Sequence, residues 1–93
     1  MYILAYYDSE SGFSVTPFKT MEEAYNDMRS TLYEWYGDED DFYVPKFENL
    51  DSSHPYSSTD VYVRRYEDNS ITIDVNDMDT ETHAFIQRIS NGV

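Results

Sequence analysis

Ninety-three residues make a single domain with room for one core, and nineteen acids against six bases leave a formal net charge of −13. That sign disfavours direct binding to DNA, RNA or an anionic membrane, whose phosphates it would repel. With no cysteine there is no disulfide framework, no thiolate zinc site and no Cys nucleophile, while ten tyrosines supply bulk for a thin core.

The chain opens on Met1-Tyr-Ile-Leu-Ala-Tyr-Tyr7, which is apolar but short and has no basic residue ahead of it, so it reads as a strand and fails as a signal peptide. No run approaches the ~20 apolar residues of a membrane span, and the expected location is the cytoplasm. Residues 2–7 carry Ile3 and Ala5 on one face and Tyr2, Leu4 and Tyr6 on the other, the pattern of a strand covered on both sides or central in a sheet. Asp8-Ser-Glu-Ser-Gly12 is turn chemistry. Phe13, Val15 and Pro17 then alternate with Ser14 and Thr16, which predicts a hairpin 2–7/13–17. Pro17 cannot donate to a ladder, so this second strand ends there or lies at an edge.

From Thr20 to Tyr36 the apolar residues Met21, Ala24, Tyr25, Met28, Leu32, Trp35 and Tyr36 recur at steps of three and four, the period of one helix face. Thr20-Met21-Glu22-Glu23 is a capping-box start, with the Thr20 hydroxyl placed to accept from the Glu23 amide. Gly37 can take the left-handed turn that ends many helices. The predicted helix is 20–36, one face docked on a sheet and the other turning Glu22, Glu23, Asp27 and Glu34 outward.

Asp38-Glu39-Asp40-Asp41 follows as a run of four acids, then Phe42, Tyr43, Val44 and Phe47 interleave with Pro45 and Lys46 as a short extended piece. From Glu48 to Asp60 the chain is polar and Ser-rich, a long loop for so small a domain, and such loops are often functional or mobile. Val61 and Val63 alternate with Tyr62 and Arg64, Ile71, Ile73 and Val75 with Thr72 and Asp74, and Glu67-Asp68-Asn69-Ser70 lies between them as a turn. This predicts a hairpin 60–66/71–76 with the valines and isoleucines toward the helix. Its outward set is Tyr62, Arg64, Tyr66, Thr72 and Asp74. The last segment, 80–90, fits a fifth strand 82–89 through Thr80 and Thr82 and nearly as well a short helix through Phe85 and Ile89; strand is preferred. The expected architecture is α+β, a small antiparallel sheet of two hairpins packed on one main helix.

No motif names a reaction. A Ca²⁺ loop of the EF-hand type fails at Met78 when counted from Asp74, and at Thr82, where Gly is needed, when counted from Asp77. His54 and His83 sit in no local motif, and the glycines (Gly12, Gly37 and Gly92) form no phosphate-cradling loop. Neither a resident metal nor a cofactor nor an enzymatic activity is expected. Tyr62, Arg64 and Tyr66 resemble a stacking platform, but in a chain of this charge a second layer, the 38–58 loop or a second subunit is the better cover for it than nucleic acid.

The acids themselves are the remaining signal. Glu23 and Asp27 are like charges four apart on the helix, an arrangement that costs stability, and the stripe continues through Glu34 into Asp38, Glu39, Asp40 and Asp41. Glu67, Asp68, Asp74, Asp77 and Asp79 make a second candidate patch. Carboxylates roughly 5–6 Å apart on a helix, or about 6.8 Å apart on one strand face, approach the charge density of a nucleic acid.

In size, charge, tyrosine content and lack of cysteine, the whole chain resembles the small acidic anti-defence proteins of phages and mobile elements, the anti-CRISPR inhibitors and DNA-mimic antirestriction proteins. The resemblance carries no residue roles. It implies a non-enzymatic inhibitor occupying the basic nucleic-acid channel of a partner such as a CRISPR effector or a restriction enzyme, in the host cytoplasm. Two other expectations follow from the residues alone: self-association, as a homodimer, through the Tyr-rich sheet face, and weak binding of Ca²⁺ or a small molecule.

Overall fold

A computed structural model describes residues 1–10, 12–37, 42–77 and 80–89. Six strands form one antiparallel sheet: β1 (Tyr2–Asp8), β2 (Gly12–Phe18), β3 (Tyr56–Ser57), β4 (Val61–Arg65), β5 (Ile71–Asp77) and β6 (Thr80–Arg88), in the order β2-β1-β6-β5-β4-β3. One helix, α1 (Met21–Tyr36), crosses a single face of it over β2, β1 and β6. The Cα extents of 42 × 30 × 15 Å describe a thin slab, one layer of helix and loop on one layer of sheet. Among the described residues no helix is long and apolar enough to cross a membrane.

Both predicted hairpins are present with shifted bounds: 2–7/13–17 lengthens to 2–8/12–18, and 60–66/71–76 becomes 61–65/71–77, while β3 is a strand the sequence did not mark. Tyr2 pairs with Phe18 and Asp8 with Gly12 in the first. Val61 pairs with Val75 and Arg65 with Ile71 in the second, where Tyr66 belongs to the turn. Asn69 takes φ +65° there, the left-handed conformation that Asn tolerates better than most residues. The strand preferred for 82–89 is present as Thr80–Arg88: β6 sits between β1 and β5, with Leu4 opposite Ile86 and Ile73 opposite Ala84. Its alternation Thr82, Ala84, Ile86 inward and His83, Phe85 outward outweighs the helical spacing of Phe85 and Ile89, because the strand gives every second side chain a core position.

The helix begins and ends where its signals lie. Thr20 Oγ1 accepts from the Glu23 amide at 3.1 Å, and the Gly37 amide donates to Tyr33 O at 3.2 Å. Gly37 takes φ +126°, ψ −171°, which is an extended conformation open essentially to glycine and not the left-handed helical turn the sequence suggested. Met21, Ala24, Tyr25, Met28 and Leu32 are buried, whereas Trp35 stays 39 % exposed and packs edge-on against Tyr6 at 5.5 Å.

The helix does not cover the whole inner face. Val61, Val63, Ile71, Ile73 and Val75 join the core as expected. The segment from Phe42 to Leu50, including a 3₁₀ turn at Phe47–Asn49, contributes Phe42, Val44, Phe47 and Leu50 to that same core beside the helix. Arg65, on the inner side of β4, lies 5.0 Å over the Phe47 ring. The 42–50 segment thus packs on the helix side of the sheet and is not the cover of Tyr62, Arg64 and Tyr66, of which Arg64 is exposed and the two tyrosines half-buried; β3 extends the sheet beside them, with Ser57 opposite Tyr62. β1 is central in the sheet, yet its second face is not covered: Tyr7 is half exposed.

Candidate functional site

Two surfaces stand apart by composition, an acid-rich end of the slab and the open face of the sheet. The first is built from three parts of the chain. The end of β1, the last turn of α1 and the start of β6 meet there, and Asp8, Glu10, Glu34, Trp35, Tyr36 and Thr80 line a cleft of about 320 Å³. Asp8 is only 7 % exposed and accepts from the Glu10 amide at 3.0 Å, a bond that folds the turn and aims the segment's acids at this end. The turn is tied to β6 by the Ser9 amide donating to Glu81 O at 3.1 Å and the Glu81 amide donating to Ser9 Oγ at 3.2 Å. Tyr36 and the buried Thr82 share a 2.7 Å hydroxyl–hydroxyl bond that fixes the helix end on the sheet.

Electrostatically this end is costly. The C-terminus of a helix carries the negative end of its dipole and favours bases, but the last turn of α1 contains none and does contain Glu34. Asp77, whose carbonyl accepts from the Thr80 hydroxyl at 3.1 Å, adds its charge at the adjoining turn.

The predicted residues are distributed as follows. Glu23, Asp27 and Glu34 lie exposed along α1, as the periodicity implied. Asp38, Glu39, Asp40, Asp41 and Asp79 lie outside the described residues. The second patch is not one surface. Glu67 and Asp68 sit in the β4–β5 turn and Asp77 at the far end of β5, seven residues or roughly 23 Å away. Asp68 is engaged locally, accepting from the Ser70 amide at 3.0 Å and its hydroxyl at 2.7 Å, which holds its carboxyl below the usual range. Asp74 points to the open face, where His83 Nδ1 donates to it at 2.7 Å; that bond, with Glu81 3.5 Å from Nε2, raises the His83 pKa. Asp8 and Glu10 read in the sequence as ordinary turn residues, since they meet Glu34 through the packing of α1 across β1 and approach Asp77 through the pairing of β1 with β6 and of β6 with β5.

The open face is ordered by register. Phe13, Tyr7, His83, Asp74 and Tyr62 form one row across five strands, and Val15, Ala5, Phe85, Thr72 and Arg64 the next. Phe13 is 68 % exposed, Val15 53 %, Tyr7 49 % and Phe85 41 %, while Ala5 between them is buried. A shallow hollow of about 360 Å³ lies over Ala5, walled by Tyr7, Phe13, Phe85, His83, Tyr62 and Tyr66. Arg64 sits 4.7 Å over the Tyr66 ring.

The Ser-rich loop holds the other histidine. Asp51 accepts from the Ser53 amide at 2.9 Å and lies 3.2 Å from His54 Nδ1, which lowers the Asp51 pKa and makes the group a local turn. Among the described residues no three of His, Asp and Glu come together as a metal-binding group. No protein family, no curated protein and no solved structure matched the chain.

Proposed function

We propose that the chain is a non-enzymatic, acidic protein-binding inhibitor that places the end bearing Asp8, Glu10, Glu34 and Asp77 in a basic nucleic-acid-binding surface, in the manner of an anti-CRISPR or antirestriction protein. The observation that carries this reading is that Asp8, Glu10 and Glu34 line one cleft at the negative end of the helix dipole, with Asp77 beside it through the bond from Thr80 to its carbonyl. Crowding them there raises the energy of the free protein, and a cationic partner would relieve it. The partner is a protein that handles nucleic acid, a CRISPR effector or a restriction enzyme. Nucleic acid and membrane are repelled by the same field, and the expected location is the cytoplasm of the host.

The test is capture of host proteins on the immobilised chain at 0.1 M and 1 M salt, where the screening length falls from ~10 Å to ~3 Å. Basic nucleic-acid-binding proteins should be held at low salt, released at high salt, and lost from Glu10→Lys/Glu34→Lys/Asp77→Lys. A bound set that withstands both 1 M salt and the triple reversal would end this reading.

A further inference from the structure

We infer that the open sheet face is a self-association surface, and that two copies of this chain pack sheet against sheet with their helices outward. This stands apart from the acid-end reading and uses different residues. Charge is the first argument. On a molecule of net −13, the acids and bases among the strand residues of this face are Arg64, Asp74, Glu81 and the Asp74-bonded His83. Apart from Asp74 and Glu81, the acids among the described residues lie on the helix side or in turns and loops, so this face is the one on which a second equally acidic copy can approach without strong repulsion. The apolar half over β2, β1 and β6 is continuous, since Phe13 and Tyr7 are cross-strand neighbours and Ala5 pairs with both Val15 and Phe85. Scattered exposed apolar residues need no explanation, but a contiguous patch of aromatic side chains does.

Size is the second argument. Five strands about 4.8 Å apart and rows spanning about seven residues give a face of roughly 24 by 23 Å, some 550 Å² before side-chain relief is counted. A standard stable complex buries ~800 Å² per partner, so a flat surface of the whole width is needed to reach that range and a single added strand is not enough. A second copy supplies such a surface, at the ~10 Å separation of packed sheets. The hollow over Ala5 then receives an aromatic side chain of the opposing copy. The edges are less suited to association: Pro17 interrupts the donors of β2, and β3 at the other edge is two residues long.

Sedimentation equilibrium at about 100 µM protein, well above a micromolar Kd, distinguishes the outcomes. The chain should have about twice its 11.0 kDa monomer mass. The dimer should tighten as salt rises from ~0.1 to ~1 M, because screening removes the repulsion between copies; binding to a basic partner through the acid end would weaken instead. Phe13→Gln/Phe85→Gln, both on exposed strand positions, should loosen the dimer at least tenfold with the far-UV spectrum retained. A monomer at 1 M salt, or a double variant as dimeric as the parent, overturns the inference. A monomer that co-sediments with phosphatidylcholine vesicles overturns it too, assigning the face to a lipid surface.

Discussion

The hydroxyl of Tyr33 holds the irregular 42–46 segment to the helix, and removing it should cost about 2 kcal/mol. This segment has no ladder partner, so its backbone polar groups are satisfied by helix side chains four residues apart. Tyr25 Oη donates to Pro45 O at 2.7 Å, Arg29 Nε to Val44 O at 2.9 Å, and Tyr33 Oη both accepts from the Val44 amide at 2.8 Å and donates to Val44 O at 3.2 Å. Val44 and Tyr25 are fully buried, and burial pushes the Tyr25 phenol well above its ordinary pKa. In Tyr33→Phe the ring keeps its edge-on contact with Phe42 at 5.9 Å and its place under Arg29. The Val44 carbonyl keeps Arg29, but the Val44 amide loses this hydroxyl in a buried site. Leaving such a donor unsatisfied costs ~1–3 kcal/mol. For a domain of this size, each kcal/mol shifts Tm by about 4–8 °C, so the expected fall is roughly 8–16 °C. Calorimetry with urea unfolding measures it, and amide exchange at Val44 should quicken in the same variant. Tyr62→Phe on the open face serves as the control, with a change within ~0.5 kcal/mol. A Tyr33→Phe protein as stable as that control would refute the hydrogen-bond accounting for the whole segment.

Gly37→Ala meets no steric obstacle around a new Cβ, yet it places alanine at φ +126°; the strain should cost about 1–3 kcal/mol in urea unfolding, and an unchanged midpoint would show that the helix end relaxes freely. The His83–Asp74 pair raises the folded pKa of His83, so its contribution to stability is complete below the unfolded value of about 6.5 and is lost as pH rises through the higher folded value. An NMR titration should place His83 above ~6.5 and show it falling in Asp74→Asn; an unmoved value would assign the shift to Glu81 alone.

The regular elements were legible because their residues are locally consistent. The helix shows its period, its Thr20 cap and its Gly37 stop; the strands show alternation with turn residues between. Three features were not legible, each for the same reason, that it depends on pairing distant in the chain. The 42–46 segment has neither period, because the polar groups of Val44 and Pro45 are satisfied by Tyr25, Arg29 and Tyr33 and not by a ladder, and β3 further on is only two residues long. Of the second predicted patch, Glu67 and Asp68 lie before β5, Asp74 within it and Asp77 at its far end, so a seven-residue strand spreads acids that are near neighbours in sequence. Asp8 and Glu10 meet Glu34 only through the placement of α1 across β1. Alternation did mark Tyr62, Arg64 and Tyr66 as one face, but that Phe13, Val15, Tyr7 and Phe85 extend the same face required the strand order β2-β1-β6-β5-β4.

The proposed inhibition requires that carboxylates crowded at one end stand in for a nucleic acid. Fluorescence anisotropy of a labelled DNA or RNA bound to a partner captured at low salt tests this most directly. Adding the wild-type chain should release the labelled strand, with potency falling steeply as salt is raised. Glu10→Lys/Glu34→Lys/Asp77→Lys should fail to release it. A partner that keeps its nucleic acid while bound to this protein, or a charge-reversed variant that displaces it as well as the parent, would contradict the account.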